Sequence, residues 1–330
     1  MNNSFRKIVI IGAGSIGTAL GNTLSVKKKL DICLLSIETD VVESINNQHI
    51  NKKYFPNFRL HSALKATGEN SILQSADVVF LAIPSVVTVD YVLKIKSFLN
   101  PEAVIVNLAK GFGNNHQTIA ENLQQELQNP VCALKGPTFA LELINKIPSA
   151  FTIASTDEKL FPMFDDLFDD TPVYLDHSTD VRGVEMLSIL KNIYAIVVGI
   201  VDAHFNSPNL RFLVLTKAFN EMRKMLLQFG GKEETLFRYC GYGDFGLTAL
   251  NDLSRNRTLG LLIGKGFFNE NISDKVVLEG KIATNIFINE IARANPAVNN
   301  FHLIKELYKV FNESYDISSF VNNILKTTEA

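Results

Sequence analysis

The stretch Lys7 to Gly21, KIVIIGAGSIGTALG, constrains this chain more than any other part of it. An apolar run from Ile8 to Ile11 enters a glycine cluster, Gly12, Gly14 and Gly17, and a helical pattern follows through Ala19 and Leu20. A strand, a tight turn and a helix N-terminus in that order cradle a dinucleotide pyrophosphate. Gly12 allows the turn, Gly14 lets the backbone approach the phosphates, and Gly17 lets the helix pack close to the strand. The first-turn amides around Ser15 and Ile16 then face the negative charge. Glycine-rich turns also occur for purely structural reasons; the strand before this one and the helix after it favour the cofactor reading.

The remainder of the first half repeats the same alternation. Strands are predicted at Asp31 to Ser36, Asp77 to Ile83, Ala103 to Leu108, Val131 to Leu134, Ser149 to Ala154 and Pro172 to Leu175, with helices between them. That is the signature of a parallel sheet covered on both sides. Asn51 to Leu60 reads as a loop with aromatic anchors, because Pro56 and the asparagines break the periodicity. The strand Asp77 to Ile83 stops at Pro84 and Ser85, where a loop could cover a cofactor. Past about His177 strand alternation ceases, and helices are expected at Val184 to Val201, Leu210 to Phe229, Arg255 to Gly264, Asp274 to Phe287, Phe301 to Phe311 and Ile317 to Leu325. The expected fold is α/β: an N-terminal Rossmann-type, mostly parallel sheet over residues 1–177, and an all-helical domain over 178–330 with the reactive cleft between them.

Composition excludes several classes. A net charge of −2 without a long basic tract argues against nucleic acid as a partner. Three scattered cysteines, Cys33, Cys132 and Cys240, suggest neither a metal site nor a disulfide framework, and the chain reads as cytosolic. Isolated histidines make a metal improbable. MNNSFRK lacks the pattern of a signal peptide. The most apolar helix candidate, Ile189 to Val201, is too short to span a bilayer, so no transmembrane segment is expected.

Several residues could do chemistry. Glu38 follows the second strand, about twenty residues past the glycine turn, where a carboxylate accepts hydrogen bonds from the adenosine ribose. It would also repel a 2′-phosphate, favouring NAD over NADP; alternatively it caps or solvates the next helix. Lys110, just after the strand Ala103 to Leu108, is a candidate ligand for phosphate or carbonyl oxygen. Thr138 either caps the helix after Gly136 and Pro137 or faces the nicotinamide side of the site. Lys191 interrupts the apolar helix SILKNIYAIVVGI: it has either snorkelled to solvent or been buried beside a carboxylate such as Asp244 to exchange a proton with a carbonyl oxygen. Asp244 lies in a glycine-flanked loop, with Thr248 one turn later. Ser254 as N-cap, with Arg255 and Asn256 beside exposed amides, would make an anion site.

Taken in order, the blocks IGAGSIGTAL, LAIPS, NLAKGF, KGPTFALEL, LKNIYAIVVGIVDA, LTKAFNEM, CGYGDFGLT, SRNRTLGLLIGKG and VVLEG resemble the NAD(P)-dependent glycerol-3-phosphate dehydrogenases over nearly the whole chain. The resemblance implies reduction of glycerone phosphate (dihydroxyacetone phosphate) to sn-glycerol 3-phosphate and the reverse, for glycerophospholipid synthesis, by a cytoplasmic homodimer. It implies that Lys191 is the catalytic proton donor and acceptor, with Asn192 orienting substrate and Asp244 nearby. Lys110 would touch substrate and cofactor. Gly136, Thr138, Thr248, Ser254, Arg255 and Asn256 would surround the substrate. Pro84, Ala140, Arg255, Val277 and Glu279 would meet the cofactor. Departures from the family pattern bear on pocket shape and cofactor preference. Ile37 and Glu38 stand where a basic residue is common, Lys135 replaces a small residue, and Leu141, Lys217, Ala218, Tyr242 and Phe245 also depart. Two alternatives remain at this level: a dehydrogenase of another small phosphorylated polyol or hydroxy acid, and a non-catalytic NAD-binding regulatory protein.

Overall fold

Strands that are apolar on both faces need helices on both faces of their sheet. Residues 6–178 follow that rule in the order β1 (Arg6–Ile11), α1 (Ser15–Leu24), β2 (Leu30–Leu35), α2 (Thr39–Gln48), β3 (Ile50–Asn51), β4 (Phe55–Arg59), β5 (Lys65–Thr67), β6 (Val78–Leu81), α3 (Ser85–Ile95), β7 (Val104–Asn107), α4 (Ile119–Glu126), β8 (Val131–Lys135), α5 (Ala140–Ile144), β9 (Ser149–Ala154), α6 (Phe161–Phe168) and β10 (Val173–Ser178). The computed structural model describes residues 6–267, 275–294 and 301–326, with the side chains of 279–293 in the middle stretch. Residues Met1–Glu185 and Met186–Ala330 form two compact units.

In the first unit an eight-stranded sheet runs β10-β9-β8-β7-β6-β1-β2-β5. Its pairs are parallel except β8 with β9, which is antiparallel and makes the sheet mostly parallel rather than uniform. From β1 the chain winds outward through β2 to β5, then returns on the other side of β1 as β6. A reversal of that kind opens a crevice at the carboxyl ends of β1 and β6.

Two local expectations are corrected here. The segment expected as a loop at residues 51–60 contains most of an antiparallel ribbon, β3 with β4. Pro56, which has no N–H to donate, is tolerated there because the two-stranded ribbon is separate from the large sheet. The residues after β6 form no long loop: Pro84 takes the N-cap position and Ser85 begins α3.

The second unit is helical in its described residues, with α7 (Val181–Phe205), which starts within the first unit, then α8 (Pro208–Gln228), α9 (Asp244–Leu250), α10 (Arg255–Gly264), α11 (Lys275–Ala294), α12 (His302–Asn312) and α13 (Ile317–Lys326). Asp274, the expected start of the fifth helix, lies outside the described residues. At 25 residues α7 is long and apolar enough to cross a membrane, contrary to the shorter helix expected. Its most apolar window is 94% buried, so protein already covers it, as a helix apolar all round requires.

Inside this unit Glu221, on α8, replaces the missing cap of α12. Its carboxylate accepts from the backbone N–H of Leu303 and of Ile304, each at 2.9 Å, and from the Tyr194 hydroxyl at 2.9 Å. Burial pushes its pKa up to about 7, against those three donors, which hold it down. The folded chain therefore keeps a proton above the ordinary value of 4.5 that the unfolded chain has released. Stability is expected to fall by about 3 kcal/mol as pH rises from about 4.5 to about 7, and to level off above that. Urea unfolding across this range should show the slope in the parent and its loss in Glu221→Gln; equal slopes would contradict the assignment.

Candidate functional site

The geometry of the first unit begins with strand register. Ile11 pairs with Leu35 and with Leu81, and Leu81 pairs with Asn107, so β1, β2, β6 and β7 end in one row. Gly12, Glu38, Pro84 and Lys110 all follow that row within three residues of its last members. At Gly12 the chain turns with φ +108°, and a Cβ there would lie 2.6 Å from the Ala82 carbonyl oxygen. A Cβ on Gly17 would lie 2.0 Å from the carbonyl oxygen of Gly12 and 3.2 Å from Cβ of Ala82. The close approach is thus chiefly to the turn itself, rather than to the strand as expected.

Gly14 is different. Its backbone is extended, with φ −72° and ψ −171°, and a Cβ there would meet nothing within 4 Å. Among the described residues no neighbour requires glycine at this position. Gly14 is also the N-cap of α1, which has no side-chain cap and no acidic residue in its first turn. Exposed Ser15 and half-buried Ile16 continue that turn. An uncapped positive helix end beside open space fits the pyrophosphate of a dinucleotide.

Two side chains fix the surroundings of this turn. Asn51, fully buried, donates to the Ala13 carbonyl at 2.9 Å and to the Thr18 hydroxyl at 2.8 Å. Its own carbonyl accepts from the N–H of Lys53 and Tyr54, so the ribbon after α2 is tied to the glycine turn. Sequence reading missed Asn51, since a contact across 38 residues has no local signal. Glu38 occupies the N-cap position of α2 but does not cap it. Its carboxylate pairs with Lys53 and accepts from the Tyr54 hydroxyl at 3.4 Å.

Farther along the row, Lys110 is half-buried, and the following Gly111 presses on α3: a Cβ there would lie 2.3 Å from Oγ of Ser85. Pro84 is exposed beside it. Gly136 has a structural reason of its own, because a Cβ would lie 2.3 Å from the Ala150 carbonyl oxygen on β9. Thr138 does not cap α5, whose N-cap is Phe139; its hydroxyl donates to that same Ala150 carbonyl at 3.1 Å. Ala140 opens α5, half-buried.

The second unit holds the candidate acid–base group. Lys191 is only 2% exposed, which rules out snorkelling. Its ammonium donates to Oδ1 of Asp244 at 2.5 Å and to the Thr248 hydroxyl at 3.1 Å. Thr248 in turn donates to the Asp244 backbone carbonyl at 2.7 Å. Asp244 stands in no loop: it is the first residue of α9, so the four-residue step to Thr248 puts both on one helix face. A buried lysine stays charged when a carboxylate and a hydroxyl replace its water, and this one has both. Asn192, next on α7, is half-buried. The bulk of Phe245 goes into the core, where it is 1% exposed and stacks on Phe219.

Ser254 caps α10 as expected, accepting from the N–H of Arg257 at 3.3 Å. The arginines of SRNR then separate. Arg257 is buried and donates to Oδ2 of Asp202 at 2.7 Å, while Oδ1 of Asp202 binds Arg211. Arg255 is exposed and Asn256 half-exposed on the first turn of a ten-residue helix. Glycines bring α10 onto α7: a Cβ on Gly260 would lie 2.2 Å from the Ile196 carbonyl oxygen, and one on Gly199 2.4 Å from that of Arg257. The four-residue spacing of Gly260 and Gly264 was a readable signal of this backbone contact, and sequence reading passed it over. Glu279 is half-buried on α11, and the side chain of Val277 lies outside the described residues.

Comparisons with known proteins identify the family. Residues 7–161 match the family model described as NAD-dependent glycerol-3-phosphate dehydrogenase N-terminus, and 180–322 match its C-terminus. A glycerol-3-phosphate dehydrogenase [NAD(P)+] of Methanothermobacter thermautotrophicus is 36% identical over 78% of this chain and 80% of its own length. A chloroplastic glycerol-3-phosphate dehydrogenase [NAD(+)] of rice is 36% identical over 79% of this chain, which spans 61% of that longer protein. The crystal structure of glycerol-3-phosphate dehydrogenase from Coxiella burnetii superposes with a TM-score of 0.88, at 27% identity, over 99% of this chain and 100% of that one. The chain therefore belongs to the NAD-dependent glycerol-3-phosphate dehydrogenase family, oxidoreductases that act on a CH–OH group.

Proposed function

We propose that this chain reduces glycerone phosphate to sn-glycerol 3-phosphate with NADH and catalyses the reverse reaction. The observation that carries the reading is the buried ammonium of Lys191, held by Asp244 and Thr248 within the largely apolar helix α7. Bound NADH supplies the hydride that reduces C2 of the substrate. The amides of Ser15, Ile16 and Gly17 would hold its pyrophosphate, and Glu38 would take the adenosine ribose, which favours NAD over NADP. Pro84, Ala140, Val277 and Glu279 complete the cofactor contacts.

Lys191 gives a proton to the carbonyl oxygen as negative charge develops there, and takes it back in the reverse direction. Asp244 keeps the amine protonated before the step and orients it. Lys110 stabilises the same oxyanion. Arg255, Asn256 and the first-turn amides of α10 bind the phosphate, with Ser254 fixing that turn; Asn192, Thr248, Gly136 and Thr138 line the substrate. By the same family membership we infer a cytoplasmic homodimer.

The phosphate assignment has its own test. Arg255→Ala is expected to raise KM for glycerone phosphate about tenfold or more with kcat little changed, as loss of a charge-assisted hydrogen bond should. Steady-state kinetics with an unchanged KM would remove Arg255 from the phosphate site.

A further inference from the structure

Lys135 is a buried cation that the reaction above does not use. It ends β8 and is 1% exposed. Its ammonium donates to the Asn107 carbonyl at 3.1 Å and to the Ala109 carbonyl, and it lies 3.5 Å from Oε1 of Glu185. Glu185 is just as deeply buried, and its other oxygen accepts from the N–H of Ala120 at 2.9 Å, in the first turn of α4. The Asn107 side chain completes the group: its amide donates to Glu185, and its carbonyl accepts from the N–H of Ala109 at 2.9 Å.

The carbonyls of Asn107 and Ala109 both lie on the segment that leaves β7, in the three residues before Lys110. Beyond the end of a strand the ladder no longer fixes the chain, so its direction depends on whatever satisfies those carbonyls. A small apolar residue at 135 would leave that task to water or to a looser loop. A buried ion pair is seldom retained for stability alone, because desolvating both charges offsets most of their attraction.

We propose that Lys135, braced by Glu185, is the positioning residue for Lys110. One ammonium bridging the carbonyls of Asn107 and Ala109 sets the direction in which the chain leaves β7, and with it the place of the Lys110 amine. The inference rests on the reading that Lys110 meets the substrate, and the experiment below separates the two.

The test is a double-mutant cycle in the full chain, with kcat/KM for glycerone phosphate at saturating NADH as the readout and a thermal melt on each variant. Lys135→Met is expected to lower kcat/KM about tenfold or more in the parent and less than about twofold in a Lys110→Ala background, where no amine remains to be placed. If the stranded Glu185 charge prevents folding of that variant, Lys135→Met combined with Glu185→Gln takes its place in both backgrounds. Equal fold-losses in the two backgrounds, or no loss in the parent, would overturn the positioning role. Lys110→Ala within about threefold of the parent would overturn it differently, by removing the catalytic role of Lys110 itself.

Discussion

Lys191→Met is expected to lower kcat for glycerone phosphate reduction by about a hundredfold to ten-thousandfold, the range spanned by loss of a general acid. The size follows from the lysine's position. Its amine is fully sequestered and already shares hydrogen bonds with Asp244 and Thr248, so no water can take its place without entering an apolar helix core. Removing the ammonium alone leaves a buried carboxylate, which costs about 3–5 kcal/mol of stability. Lys191→Met is therefore best measured beside Lys191→Met with Asp244→Asn, which removes the stranded charge. Both should bind NADH as the parent does, since the glycine turn is in residues 12–17. Turnover within about threefold of the parent would remove Lys191 from the proton transfer.

Gly14→Asp should separate folding from cofactor binding. Among the described residues no atom beyond its chain neighbours lies within 4 Å of the added Cβ, and aspartate is a better helix N-cap than glycine. Stability should therefore stay within about 0.5 kcal/mol of the parent or rise slightly. The new carboxylate would occupy the place where a pyrophosphate approaches the backbone, and NADH affinity is expected to fall by at least about a hundredfold, or about 2.7 kcal/mol. Titration of NADH against its fluorescence would show this. Binding within about threefold of the parent, in a protein that melts normally, would mean that the space over Gly14 is not where the cofactor lies. Gly17→Ala offers the contrast: a Cβ 2.0 Å from the Gly12 carbonyl disturbs the turn itself and should cost stability as well as binding.

Where chemistry and local pattern coincide, the chain could be read directly. Strand, glycine turn and helix at residues 7–21 are all local, and the Ser254 cap spans only the four residues to Arg257. Lys191 stood out because it breaks an apolar run, although sequence could not say whether it was buried. What stayed hidden depends on contacts between distant segments. Asn51 reaches Ala13 across 38 residues, Asn107 reaches Glu185 across 78, and Glu221 caps a helix 82 residues on. Thr138 illustrates a different failure. The short step from Gly136 suggested a cap, but the close approach of β9 at Ala150 drew its hydroxyl away. The ribbon at β3 and β4 reads as loop in sequence because its strands are two and five residues long, too short for period-two alternation to register.

Glu38 bears on cofactor choice in both views. The sequence suggests Glu38 as a ribose ligand, and in the structure its carboxylate pairs with Lys53 from the ribbon tied down by Asn51.

The most direct measurement is the consumption of NADH by the purified chain on addition of glycerone phosphate, run beside NADPH, with sn-glycerol 3-phosphate assayed as product. The account predicts one molecule of product for each NADH oxidised, with NADH the better of the two cofactors. Tight NADH binding with no oxidation would contradict it.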